Sequence, residues 1–382
     1  MIILMNQSAL KGLRTWIEVD TKVIESNFTN LKSLLAPATK FCAVVKSNAY
    51  GHGLFEFAKT IEKIGADFLA VDSITEAIRL RKEGIKKPIL ILGYTLPERL
   101  VEAADNDIAI TVSQFETLAD VEKLTGAKAL KVHIKVDTGM HRQGFLPDDI
   151  AAVIETLKKL DGKIVICGLY THFAVADEPE NNYTSGQIAV FEKWQKSFRD
   201  AGFSPLVHAS ASAGAISDSS FHFDMVRFGA SLYGLWPSPE LKSIKQKSIL
   251  LEPALSWKAI VSEVKSLKKG DKVGYGLSDE LSRDSRVAVC PIGYWHGYPR
   301  ALSGKAEVLI NGRRARIIGR VSMDMIVVDV TDIPDVAVCD VATLIGSDGK
   351  EEVSADELAR LSDTINYEII TRLNPLIKKI YI

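Results

Sequence analysis

A lysine on a protein surface is a solvated charge, but an amine held at the tip of a buried strand can condense with a carbonyl to give a Schiff base. The stretch Val44-Val45-Lys46-Ser47-Asn48-Ala49-Tyr50-Gly51-His52-Gly53 offers that placement. An apolar run from Phe41 to Val45 stops abruptly at Lys46, and a turn carrying Tyr50, Gly51 and Gly53 follows. A run of that length bounded by glycines suits a strand buried on both faces. Lys46 then stands at its C-terminal end, where parallel α/β folds place their chemistry.

Other polar residues fall at the ends of comparable runs. Lys135-Val136-Asp137-Thr138-Gly139-Met140-His141-Arg142 follows one, and Tyr170-Thr171-His172 another. His208 and Ser212 follow a third, and Arg227-Phe228-Gly229-Ala230 closes a fourth. Amine, imidazole and guanidinium groups converging on one rim with glycine-rich turns make a candidate site. Ser212 can donate a hydroxyl, and Gly229-Ala230 can offer backbone N–H groups that no bulky side chain shields, a combination suited to a phosphate. A phosphate site beside a Schiff-base lysine suggests pyridoxal phosphate. A class I aldolase acting on a sugar phosphate is the competing reading.

The elements that must position these groups alternate regularly. Strand-like runs fall at 41–45, 67–71, 88–92, 108–112, 130–136, 164–170, 206–208 and 225–228. Helical periodicity lies between them at 54–64, 73–83, 97–105, 114–124, 148–160 and 186–200, lengths that suit crossovers between parallel neighbours. The last connection, 211–224, is shorter and rich in alanine and serine, a weaker helix signal. Eight β-runs in βα alternation predict a (β/α)8 TIM barrel. An open dinucleotide-binding sheet would carry GxGxxG after its first strand, and none is there. A short strand at 16–20 and a helix at 21–35 precede the barrel.

Residues 236–254, rich in proline, lysine and serine, read as a boundary between a barrel domain over 1–245 and a β-domain over 246–382. Beyond it β-patterns fall at 255–266, 286–292, 305–310, 314–319, 325–330 and 341–345, with Asn311-Gly312 as a two-residue hairpin turn. Short helices near 354–361 and 364–373 precede a last strand-like run, 377–382. Because 16–20 comes before the barrel strands, it is expected to pair with this β-domain.

Composition excludes several classes. At 382 residues, with 47% hydrophobic and 25% charged residues, the chain is ordinary for a globular protein. Its formal net charge of −1 argues against nucleic acid as a partner. No apolar run approaches the ~18 residues that cross a bilayer, so no membrane association is expected. The run Met1-Ile2-Ile3-Leu4-Met5 lacks the length and the basic region of a signal peptide. Cys42, Cys167, Cys290 and Cys339 form no CxxC pair and read as reduced thiols of a cytoplasmic protein. The histidines show no metal-ligand spacing, so no metal is expected.

Taken together, the motifs resemble those of the pyridoxal-phosphate-dependent alanine racemases over nearly the whole chain. They are VVKSNAYGHG (44–53), KVDTGMHRQG (135–144), GLYTHFA (168–174), MVRFGASLYG (225–234), VGYG (273–276), GRVSMD (319–324) and the Tyr367-Glu368 pair. The resemblance implies a TIM barrel followed by a β-domain. It also implies a homodimer that interconverts L- and D-alanine and supplies D-alanine for peptidoglycan. Lys46 would hold the cofactor and act as the base on one face of the substrate Cα, with Tyr275 as the base on the other. A tyrosine titrating near ~10 needs its anion stabilised, by His172 and through it Arg227. Arg227 would face the pyridine nitrogen, where a permanent cation donates a hydrogen bond and disfavours ring protonation. Arg142 would meet the phenolic oxygen and the substrate carboxylate, to which a planar fork is suited.

Further roles follow from the same resemblance. Lys135 matches a lysine that many members carbamylate to orient that arginine. Tyr50, Ser212, Gly229, Ala230 and Tyr367 match the phosphate-binding set, and Met323 and Tyr294 match residues that restrict the substrate pocket. Tyr275, Tyr294 and Met323 would reach the site from the partner subunit. His52, His133 and His222 are left with structural roles.

The chain departs from the pattern at Ala211, where asparagine is usual, and at Ser322, His296 and His141, where cysteine, aspartate and glycine are common. Lys46 and Tyr275 are kept, so the reaction type stands while strict preference for alanine is open. A barrel-type decarboxylase using the same cofactor is the alternative among enzymes, although it would set a carboxylate where this chain has Arg227. A cofactor-carrier protein, from another class, would be a lone barrel without the β-domain that bears Tyr275.

Overall fold

The computed structural model describes residues 10–125, 128–178 and 181–382, so the run Met1–Met5 lies outside the described residues. Two compact units result: residues 22–49 with 54–252, and residues 10–21 with 50–53 and 253–382.

Counting from a short strand β1 (Thr15–Val19) of the second unit, the first unit holds eight parallel strands. They are β2 (Lys40–Val44), β3 (Phe68–Val71), β4 (Ile89–Ile91), β5 (Ile108–Val112), β6 (Leu130–Lys135), β7 (Ile164–Tyr170), β8 (Leu206–His208) and β9 (Met225–Phe228). Each pairs with the next from β2 to β8, and β2 also pairs with β9. Between β8 and β9 the ring closes through a bridge of Ala211 to Arg227 and a bond from Asp224 N to Val207 O (3.0 Å). All residues of β5 are buried, as a parallel strand covered on both faces must be. The helices are α1 (Thr21–Lys32), α2 (Leu54–Ile64), α3 (Ile74–Lys82), α4 (Leu100–Asp105), α5 (Phe115–Glu122), α6 (Ile150–Lys159), α7 (Tyr183–Asp200), α8 (Ser212–Ser217) and α9 (Pro239–Lys245). The expected βα alternation is therefore present strand by strand.

Three local expectations change. The helix read over 211–224 is only α8 and a single 3-10 turn, because extended Asp218 ends α8 and caps the next turn by accepting from Ser220 N. The stretch read as a boundary contains α9, begun by Ser238 Oγ accepting from Leu241 N with Pro239 at the first position. The first unit runs on to Glu252, since the Asn27 side chain accepts from Glu252 N (3.0 Å) and donates to Glu252 O (2.8 Å).

The second unit is mainly antiparallel. Its strands are β10 (Leu255–Ile260), β11 (Glu263–Leu267), β12 (Lys272–Val273), β13 (Asp279–Glu280), β14 (Ser285–Cys290), β15 (Glu307–Ile310), β16 (Arg313–Ile318), β17 (Ile326–Asp329), β18 (Val341–Asp348), β19 (Glu351–Val353) and β20 (Lys378–Tyr381), with helices α10 (Ala355–Leu361) and α11 (Asn366–Thr371). β1 lies between β10 and β20, antiparallel to the former and parallel to the latter. The run expected as one strand over 255–266 splits at Val261, whose N–H donates to Asp340 O (2.7 Å). β10 then pairs with β18, and β11 with β14. Asn311 and Gly312 have φ of 51° and 71°, the left-handed pair that a tight hairpin turn between β15 and β16 requires.

Among the described residues no helix is long and apolar enough to cross a membrane, and no acidic, histidine or cysteine cluster could hold a metal ion.

Candidate active site

β2 runs straight into an unusual turn. After Lys46, the residues Ser47, Asn48 and Ala49 hold φ of 56°, 57° and 52°, and Tyr50 follows at 50°. Left-handed backbone costs a residue with a Cβ roughly 1–2 kcal/mol, so a consecutive series survives only when neighbours hold it. Ala49 N donates to Val45 O (2.9 Å), and Asn48 Oδ1 accepts from Leu54 N (3.0 Å). The Glu76 carboxylate accepts from Asn48 N (3.2 Å) and from Asp72 N (3.0 Å). Lys46 Nζ, at the head of this turn, lies 3.3 Å from Asp72 Oδ1.

Lys135 ends β6 with its chain buried, its Nζ donating to Gln143 Oε1 (3.0 Å) and standing 5.5 Å from the centre of the Tyr170 ring. Burial, then Arg142 and Arg227, push its ammonium down to about 8. The loop that carries Arg142 is folded around buried Asp137, whose Oδ1 accepts from Gly139 N (2.9 Å) and His141 N (3.0 Å). Gln187 on α7 pins that loop to the next strand end: its Nε2 donates to Thr138 Oγ1 (3.1 Å) and to His172 O (3.2 Å).

Arg227 on β9 is buried at the centre of this rim. Its Nη2 donates to Thr171 O (2.9 Å) and Ala209 O (2.6 Å), and lies 3.3 Å from His172 Nδ1; its Nη1 donates to His208 Nδ1 (2.6 Å). A guanidinium has five N–H groups. The Nε–H and the second Nη1–H meet no acceptor among these bonds. His172 is kept neutral by burial and by the cations Arg227, Arg142, Lys135 and Lys46, which hold its pKa well below the usual histidine range. With Nδ1 turned to a group that can only donate, its proton sits on Nε2.

Ser212 opens α8 and its Oγ accepts from Gly229 N (3.1 Å) and Ser231 N (3.4 Å), which binds the loop after β9 to the start of α8. Ala230 begins the short turn that follows, and Ala211 puts only a methyl at the N-cap of α8. The barrel unit thus brings together Lys46, Lys135, Arg142, His172 and Arg227, with Ser212, Gly229 and Ala230 gathered after β8 and β9.

The β-domain holds the rest. The rings of Tyr50 and Tyr367 meet edge to face with centroids 6.3 Å apart, and burial pushes the Tyr50 phenol up to about 12, so it stays protonated. Tyr294 N donates to Ser322 O and Trp295 N to Met323 O, both at 3.0 Å, which pairs the two loops that carry Tyr294 and Met323. Tyr275 is 72% exposed, and Leu277, Tyr294, Trp295, Met323 and Met325 are exposed as well. A single chain buries none of these residues.

Three contributors escaped the sequence reading, Glu76, Gln143 and Gln187, and so did the bond that joins His133, expected to be structural, to the strand-end His208. Glu76 had a local signal, the S-x-x-E spacing from Ser73 that marks a capping box. Ser73 does cap α3 by accepting from Glu76 N (3.3 Å), but the glutamate side chain reaches further back to Asp72 and Asn48. The others have no local pattern.

Known proteins match nearly the whole of this chain. The family model for the alanine racemase N-terminal domain matches residues 19–237, and that for the C-terminal domain matches residues 254–381. The alanine racemase of Methanococcus maripaludis is 40% identical over 372 residues, covering 96% of this chain and 98% of that protein. That of Halothermothrix orenii is 40% identical over 377 residues, covering 96% of each. The crystal structure of alanine racemase from Bacillus anthracis with bound L-Ala-P has a TM-score of 0.91 at 38% identity, covering 97% of this chain and 95% of that one.

Proposed function

The chain belongs to the alanine racemase family, and on that premise we propose that it interconverts L- and D-alanine with pyridoxal 5'-phosphate. We further propose that it works as a cytoplasmic homodimer supplying D-alanine for peptidoglycan. The observation that carries the activity is the convergence of Lys46, Lys135, Arg142 and Arg227 around a neutral His172 on one barrel rim. A cluster with that charge attracts a phosphorylated cofactor and a carboxylate substrate.

Two features support the cofactor at this rim. Arg227, though buried, keeps two N–H groups that its protein acceptors do not use, as a ring nitrogen needs. Ser212 Oγ accepts from two backbone N–H groups and so has its own hydrogen to give to a phosphate oxygen. When bound, the cofactor supplies an aldehyde for the Lys46 amine and a conjugated ring that spreads the electron pair left as Cα loses its proton.

The side chains then divide the work. Lys46 would hold the cofactor covalently, and Tyr50, Ser212, Gly229, Ala230 and Tyr367 would hold its phosphate. Arg227 would donate to the ring nitrogen while keeping its own protons, which leaves that nitrogen unprotonated and restrains side reactions such as transamination. Arg142 would clasp the substrate carboxylate in a two-pronged contact. Lys135, near half-neutral at pH 8, would take up carbon dioxide as a carbamate and anchor Arg142. Lys46 Nζ would remove or return the Cα proton on one face, and Tyr275 Oη of the partner subunit on the other. His172 would give its Nε2–H to that phenolate oxygen, and Met323 and Tyr294 would narrow the pocket around a methyl side chain. The exposure of Tyr275, Tyr294 and Met323 supports their use by a second copy of the chain.

The test is direct. Cofactor-loaded protein given L-alanine in D2O should yield D-alanine bearing deuterium at Cα; absence of the D-isomer would overturn the reading.

A further inference from the structure

Of the buried histidines that take no part in the proposed reaction, two stand in line with Arg227. His133 on β6 and His208 at the end of β8 are 1% and 0% exposed, and their Nδ1 and Nε2 atoms, respectively, lie 2.9 Å apart. On its other side His208 Nδ1 lies 2.6 Å from Arg227 Nη1. A guanidinium has only hydrogens to give. His208 must therefore accept on Nδ1, so its proton is on Nε2 and is donated to His133 Nδ1. His133 in turn carries its proton on Nε2. One donor-only group dictates the tautomers of two imidazoles in series.

The core is shaped to hold this series. The Tyr170 ring stacks on His208 with centroids 4.7 Å apart and planes within 5°, and its hydroxyl bonds Thr111 Oγ1 at 2.7 Å. A Cβ on Gly168 would come within 2.0 Å of His133 Nδ1, so the glycine is what admits that ring. Burial and the nearby Arg227 also hold both imidazoles neutral.

We propose that His133 is a positioning residue for racemisation, acting through His208 to aim the guanidinium of Arg227 at the ring nitrogen of the cofactor. This rests on the reading of Arg227 given above. Without the acceptor at His133 Nδ1, the Nε2–H of His208 is stranded in the core. The other tautomer of His208 would turn an N–H against Arg227, and the guanidinium must then rotate. Its two unused N–H groups lose their direction, and the ring nitrogen is open to protonation.

Wild-type holoenzyme is compared with His133→Leu and with His133→Asn, whose Oδ1 can accept where Nδ1 does. Nitrogen NMR of isotopically labelled imidazoles should show His133 and His208 of the wild type both protonated on Nε2. His133→Leu should shift the His208 resonances and the visible band of the bound cofactor. It should lower kcat about tenfold or more with little change in KM, and raise the share of turnovers in which the amino group stays on the cofactor and pyruvate leaves. His133→Asn should return the band and that partition to the wild-type values. A wild-type His208 protonated on Nδ1, or a His133→Leu enzyme whose band and partition equal the wild type, overturns the proposal. If His133→Leu does not fold, the wild-type tautomers and the His133→Asn enzyme decide it. Racemisation by the wild type is scored separately, so failure of the relay is distinct from failure of the activity.

Discussion

Glu76 Oε1 accepts from the backbone N–H of Asn48 at 3.2 Å, so a carboxylate in the first turn of α3 holds the strained turn that follows Lys46 on the neighbouring βα unit. Its second oxygen closes the arrangement on Asp72 N at 3.0 Å. The ion pair of Lys46 with Asp72 looks more conspicuous, but both side chains are substantially exposed, and such pairs contribute about 0–1 kcal/mol. The two amide bonds to Glu76 are the stronger restraint, at roughly 1.5–3 kcal/mol for a hydrogen bond to a charged group. Glu76→Ala should therefore weaken cofactor retention about tenfold, measured by dialysis and visible absorbance, and lower the melting temperature. Asp72→Asn should change both by far less. Equal effects from the two substitutions would show that the ion pair holds the turn.

Gly168→Ala is a sharper test of the barrel core. The added methyl would sit 2.0 Å from His133 Nδ1, where neither a buried ring nor a central strand can yield. Overpacking on that scale should cost about 3 kcal/mol or more. Chemical denaturation would read the loss, and a variant as stable as the wild type would mean that the His133 ring can move.

Burial explains both what the sequence revealed and what it hid. The barrel strands were legible because runs such as Phe41–Val45 and Ile108–Val112 are buried on both faces and interrupted by turn residues. Lys46 and Arg227 stood out as polar residues closing such runs, whereas Arg142 lies in the loop beyond β6 and was singled out only by the motif KVDTGMHRQG. His133 sits in the middle of β6, and nothing local distinguishes a core histidine that bonds another histidine 75 residues away from one that merely fills space. Helix α9 was concealed differently: Pro239 and Lys245 suggested a linker, although Ser238 before Pro239 is a sound helix start. The division at Val261 depends on a bond to Asp340 and leaves the alternation of the strand undisturbed, so periodicity could not show it.

The neutral histidines set an acid limit on stability. His133 is held at about 3 in the fold by burial and Arg227, against ~6.5 in the unfolded chain. Between these values the unfolded chain binds a proton that the folded chain does not, so stability is complete above ~6.5 and falls as the pH drops. At pH 5 the loss is about 2 kcal/mol for each histidine that stays neutral. His172 and His208 are shifted in the same direction. Denaturant midpoints recorded from neutral pH downward should fall steeply in the wild type and less steeply in His133→Asn, which lacks one of the three groups.

Lys135 should behave as a reactive amine. Its displacement to about 8 leaves a substantial neutral fraction at mildly alkaline pH, and only the neutral form adds carbon dioxide. Carbon-labelled bicarbonate should give a carbamate signal that grows as the pH rises through 8 and is missing from Lys135→Arg. A protein without that signal at any pH would leave Gln143, 3.0 Å from Nζ, as the acceptor that fixes an unmodified ammonium.

Subunit exchange can decide whether one site draws on two chains. Lys46 lies in the barrel unit, and Tyr275 lies in the β-domain, 72% exposed. Lys46→Ala and Tyr275→Phe should each abolish most activity as pure proteins. If Tyr275 serves the partner's barrel, a mixed dimer has one site with Lys46 and Tyr275 both intact and one site with neither. Random exchange makes half the dimers mixed, so equal amounts of the two inactive variants should recover about a quarter of wild-type activity. If both bases came from one chain, each site of the mixed dimer would lack one of them and no activity would return. Mixing followed over time, with sedimentation to confirm that chains exchange, separates the two outcomes.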